Sequence, residues 1–200
     1  MTGTTKYMAM FPLGVFLLPG EQIPLRIFEP RYKQLINECN ETGETFGIPY
    51  ADEEILKPYG SEVELVKIAA KNSLGEMVIL IRGVSNFHLL NFKEKISDKF
   101  YGAGIVEYVD DNFTTTNPEL AVLVKKLNLN LDPLLGSLIF NNAINLMNIA
   151  KSLMLNSEEK YLFYSMRNQA KMEAFLIKRL KFLERIQSQE KLLENNFSLN

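Results

Sequence analysis

Two periodicities divide the chain. As far as residue 112, apolar positions come as short runs or alternate with polar ones, and turn-forming residues separate them, which predicts strands. Val15-Phe16-Leu17-Leu18 is a continuous apolar run stopped by Pro19-Gly20, the pattern of a strand buried on both faces, with a positive φ expected at Gly20. Glu29-Pro30 marks a helix start, because proline at the first helical position gives up an N–H that would have no partner there. Tyr32, Leu35, Ile36 and Cys39 then share one helical face, and the helix should end before Gly43. Alternation returns over 62–70, a hairpin turn is expected at 72–75, and further strands at 77–81, 84–90 and 105–109. Many short strands around one helix predict a small capped barrel, not a parallel sheet.

Beyond Asn117-Pro118 the period lengthens. Leu120, Leu123, Val124 and Leu127 recur at helical spacing. After Pro133 a second stripe runs through Leu135, Ile139, Ala143, Leu146, Ala150 and Leu153. Asn156-Ser157-Glu158-Glu159 caps a long last helix whose apolar side holds Met172, Phe175, Leu176, Leu180, Leu183 and Ile186. The expected class is α+β, with a barrel subdomain over 7–112, a three-helix bundle over 117–190, and a flexible tail over 191–200.

Composition narrows the chemistry. With 46% hydrophobic and 23% charged residues in 200, the chain can bury a core as one domain or two small ones. A net charge of −2 lacks the cationic surplus that phosphate binding requires, so no nucleic-acid partner is expected. Lys6 followed by apolar residues from Tyr7 to Leu18 imitates a targeting signal, but Pro12 and Gly14 interrupt a run too short to span a bilayer. A cytoplasmic protein without a membrane segment is expected. Cys39 and His88 are the only residues of their types, too few for a metal set, a disulfide or a triad. No catalytic residue, metal or cofactor is therefore expected; Cys39 should be buried and His88 exposed. Lys171, Lys178, Arg179, Lys181 and Arg185 give the last helix a basic face that solvation explains.

One stretch carries a resemblance. Phe11-Pro-Leu, Pro19-Gly20, Pro24-Leu25 and Ile27-Phe-Glu-Pro-Arg-Tyr32 fall at the spacing that opens the N-terminal domain of Lon proteases. A second block, Gly83-Val84-Ser85-Asn86-Phe87, is similar to a strand of that family, with Asn86 where its members usually have arginine. The resemblance implies a PUA-like β-barrel followed by a helical bundle, in a free-standing bacterial relative without ATPase or Ser-Lys peptidase. No Gly-x-x-x-x-Gly-Lys-Ser/Thr loop occurs to cradle phosphates. It further implies a non-catalytic polypeptide-binding or adaptor module that engages unfolded or extended chains, serves a protease or chaperone, and is a monomer or weak homodimer. An RNA-binding PUA-like module and a small-molecule-binding regulatory protein are the alternatives. Within the motif, Arg26, Phe28, Glu29, Arg31 and Tyr32 are the candidate peptide contacts. Their competing role is structural: an ion-pair network of Arg26, Glu29 and Arg31 at the strand-to-helix corner, with Phe28 in the core and Tyr32 balanced between the two.

Overall fold

Six strands make the main sheet: β1 (Thr5–Met10), β2 (Gln22–Ile27), β3 (Phe46–Asp52), β4 (Ile55–Lys71), β5 (Met77–Lys93) and β6 (Gly102–Glu107). Their order is β2-β5-β4-β3-β1-β6, and β5 also pairs with β6. Five strands thus close into a ring, and β2 pairs with β5 beside it, which is the expected barrel. Only β1 and β3 run parallel. The computed structural model describes residues 3–53, 55–129 and 143–197. It divides into one unit of Met1–Asp110 with Asn156–Tyr161, and another of Asp111–Leu155 with Leu162–Asn200.

Helix α1 (Pro30–Thr42) starts and stops where the sequence indicates. Pro30 opens it, and Gly43 closes it at φ 73°, donating its N–H to the Cys39 carbonyl, a left-handed cap that favours glycine. Its buried face of Tyr32, Leu35, Ile36 and Cys39 packs on sheet residues Phe46, Ile48, Val63, Ile79 and Ile81. A smaller cluster joins Met8 and Met10 of β1 to Phe87 and Val106. The Cys39 thiol is buried in the first cluster, and burial, aided by Glu44 and Glu38, pushes it up to about 11. We expect the native thiol at pH 8 to react with an aromatic disulfide reagent about a hundredfold more slowly than in denaturant, because so little thiolate forms. Equal rates in stopped-flow absorbance would contradict this burial.

Residues 15–18 depart from expectation. Phe16, Leu17 and Leu18 are buried, yet they form no strand. Side chains satisfy part of their backbone: Leu17 N–H donates to Ser61 Oγ at 2.9 Å, its carbonyl accepts from Asn86 Nδ2 at 2.7 Å, and Leu18 N–H donates to Glu21 Oε2 at 2.8 Å. A buried run needs partners for its polar groups, and these need not come from a ladder. Gly20 turns the chain at φ 91°, as expected. The strands expected at 77–81 and 84–90 are one continuous β5, which passes Gly83 without a break.

The second unit has a two-stranded sheet, β7 (Thr114–Thr115) with β8 (Ile144–Asn145), and helices α2 (Pro118–Lys126) and α3 (Leu146–Ser152). Helix α4 (Ser157–Ser165) crosses the division between units, and α5 (Gln169–Phe197) follows. Asn117 and Asn145 cap α2 and α3 through their side-chain oxygens. The stretch expected as one last helix is two, so the second half holds four helices among the described residues. Arg167 breaks it at φ 43°, and Asn168 Oδ1 accepts the Lys171 N–H to start α5. Arg167 is held by Asp111 at 2.6 Å and lies over the rings of Phe113 and Tyr164. Within the basic face of α5, Lys181 pairs with Glu119 of α2 at 2.6 Å. Pro133, Leu135 and Ile139 lie outside the described residues. No described helix is long and apolar enough to cross a membrane.

Candidate functional site

The segment after β1 continues beside β3. Phe11 N–H donates to the Gly47 carbonyl at 2.8 Å, Leu13 N–H to Pro49, and Ala51 N–H to Leu13. This alignment brings Phe11 onto the first turn of α1, where its ring stacks on Tyr32 with centroids 3.7 Å apart and planes 30° apart. The Arg31 guanidinium lies over the same Tyr32 ring, 4.6 Å from its centroid. Arg31 Nε also donates to Glu29 Oε2 at 2.8 Å. Glu29 occupies the N-cap of α1 but makes no side-chain cap bond, so its carboxylate is given to Arg31 instead. Burial raises the Tyr32 phenol above its ordinary value; Arg31 opposes this, and Glu29 and Glu94 add to it.

Beside this stack opens a cleft of about 690 Å³. Met10, Pro12, Leu13, Leu56 and Phe92 supply apolar walls, and Arg31, Tyr32, Glu53 and Glu94 supply polar groups. One cation and two carboxylates around an apolar floor suit a ligand with both hydrogen-bonding and apolar groups.

The family model for the ATP-dependent protease La (LON) substrate-binding domain matches residues 7–195. The chain belongs to this family. Among solved structures it is similar to the Lon N-terminal domain protein from Xanthomonas campestris, at 25% identity and TM-score 0.62, covering 90% of this chain and 98% of that one. The N-terminal domain of the Mycobacterium avium complex Lon protease shares the fold at 14% identity and TM-score 0.51, covering 89% and 96%. Membership makes this a Lon-type substrate-binding module.

The Lon motif does not gather all of its candidate contacts. Arg31 and Tyr32 line the cleft, and Glu29 stands one hydrogen bond behind. Arg26 is exposed on β2 and pairs with Glu76 at 3.3 Å, so the expected three-residue ion-pair network reduces to Glu29–Arg31. Phe28 is 58% exposed and not in the core. Phe28 follows Ile27, the last residue of β2, which is 1% exposed, and lies between that strand and the start of α1. His88 is half-buried, not fully exposed, because its ring tilts against Tyr59 at 5.3 Å and its Nδ1 lies 3.9 Å from Glu107. Asn86, at the family's arginine position, is buried and ties inward to Leu17 and Ser61. Sequence reasoning missed Glu53, Leu56, Phe92 and Glu94, which only strand register brings to the motif.

It also missed Glu62. This carboxylate is 5% exposed and accepts hydrogen bonds from Lys6 at 2.7 Å, Thr45 at 2.6 Å, and Ser85 and Tyr108, each at 2.7 Å. Burial pushes its carboxyl up, but those four donors outweigh burial and bring it down to about 2. So acidic and so fully engaged a group is a poor proton acceptor for a reaction. It pins β1, β4, β5 and the chain just past β6.

Proposed function

We propose that this chain is a non-catalytic module that holds an extended or partly unfolded polypeptide in the cleft beside Phe11, Arg31 and Tyr32, and delivers it to a protease or chaperone in the cytoplasm. The observation that carries this reading is the cleft itself: the family's sharpest motif supplies its stacked wall, and apolar floor and mixed charge surround it. Apolar side chains of the bound segment would enter between Leu13, Leu56 and Phe92. Arg31 would meet carbonyls or carboxylates, and Glu53 and Glu94 would meet N–H groups or cations. Membership of the Lon substrate-binding family supports the class of ligand.

A carboxymethylated, permanently unfolded model protein is the probe. Fluorescence anisotropy should show binding that Arg31→Glu and Leu56→Asp each weaken by about tenfold, the size of a typical interface contact. No binding up to high micromolar concentration, or binding by both variants as tight as the parent's, would sink the proposal. A salt-sensitive shift of single-stranded RNA that the unfolded protein cannot compete away would favour the RNA-binding reading instead.

A further inference from the structure

A second groove lies on the outer face of the ring and shares no lining residue with the motif cleft. The registers of β1, β6 and β5 place Tyr7, Ile105 and Asn91 in one cross-strand row, and Ala9, Ala103 and Lys93 in the next. Tyr7 and Ile105 are 61% and 41% exposed although both are large and apolar, and as direct neighbours they form one patch. Two hollows of about 540 and 530 Å³ flank the patch and share Tyr7, Ile96 and Ala103, so they make one continuous groove.

Charge along this groove is graded. Lys93 and Lys95 line the first hollow, both exposed, and neither pairs with a carboxylate among the described residues. The other nearby lysines are committed, Lys6 to Glu62 at 2.7 Å and Lys99 to Glu38 at 2.8 Å. Glu44 lines the second hollow, and Glu107 sits one row beyond Ile105. The chain as a whole is acidic at −2, so two unpaired lysines beside an apolar patch are a local reversal of its charge.

We propose that this groove docks an extended polypeptide segment whose aromatic or aliphatic side chains are flanked by acidic ones. The apolar side chains cover Tyr7, Ile96 and Ile105, and a carboxylate reaches Lys93 and Lys95. A nucleic acid fits less well, because two free cations neutralise few phosphates and Glu44 and Glu107 oppose the rest of the strand. The partner differs from that of the motif cleft, where Glu53 and Glu94 outnumber Arg31.

The test uses the full chain and a labelled peptide of about twelve residues, with Asp and Glu on both sides of a central Phe-Leu pair. Its lysine counterpart and a single-stranded RNA oligonucleotide serve as comparison probes. Anisotropy titrations should give a salt-sensitive affinity for the acidic peptide. Lys93→Glu with Lys95→Glu should weaken it by about tenfold or more and turn preference toward the lysine peptide. Tyr7→Ser should weaken it several-fold, while Arg31→Glu in the motif cleft should weaken it far less than the lysine double variant does. All these side chains are at least partly exposed, and unchanged circular dichroism checks that the variants fold. The proposal is overturned if the double variant binds the acidic peptide as well as the parent, or if RNA binds more tightly than the peptide. Equal weakening by Arg31→Glu also overturns it and moves the peptide to the motif cleft.

Discussion

Glu62→Gln is expected to lower the unfolding free energy by about 3 kcal/mol at neutral pH, with the loss shrinking as the solution is acidified. The carboxyl falls from 4.5 to about 2 in the folded chain. That drop corresponds to about 3 kcal/mol of preferential interaction with the ionised form. Because the folded value is the depressed one, this stabilisation is complete above pH ~4.5 and disappears as pH falls toward 2. Glutamine retains the shape but presents an NH₂ to donors, and leaves the Lys6 ammonium without its carboxylate. Urea unfolding at pH 7, 4 and 2 measures the effect. The parent and Glu62→Gln should differ most at pH 7 and converge near pH 2. Two curves that stay parallel across this range would show that the carboxylate does not pin the ring.

The pin also shows where reading the chain stops. Its donors lie 56, 17, 23 and 46 residues from Glu62, and nothing local in the sequence joins them. Ring closure does, and closure depends on register. What was legible was local chemistry: Pro30 at a helix start, Gly43 at its end, and the Asn72 turn whose Oδ1 accepts from Leu74 and Glu76. Each acts within a few residues of itself. Phe28 and residues 15–18 were misjudged because apolar character alone gives neither the facing of a side chain nor the partner of a buried backbone. The cleft was half legible for the same reason. Pro12, Leu13, Arg31 and Tyr32 lie within one motif, whereas Glu53, Leu56, Phe92 and Glu94 arrive through strand pairing. Arg167 was missed because its left-handed turn is stabilised by Asp111 and two rings, not by a turn-forming residue.

Tyr32→Ala should cost about 3 kcal/mol, the usual range for removing a buried aromatic ring. Tyr32 is 5% exposed and belongs to the cluster that holds α1 on the sheet, with Phe11 stacked on it. Alanine leaves a void beside Phe11 and removes the ring beneath Arg31, and a packed core refills such a void only in part. Tyr32→Phe should cost less than about 1 kcal/mol, because the ring and both stacking contacts remain. The pair of substitutions separates fold from function. If the cleft binds polypeptide through the face of the ring, Tyr32→Phe keeps the affinity of the parent for the unfolded model protein. If the hydroxyl makes the contact, affinity falls although the melting temperature does not. A double-mutant cycle with Phe11→Leu and Tyr32→Leu should give a coupling of about 1 kcal/mol for the stacked pair. Zero coupling in urea unfolding would mean that the two rings contribute by burial alone, and that the motif's spacing positions the cleft wall without a specific ring–ring contact.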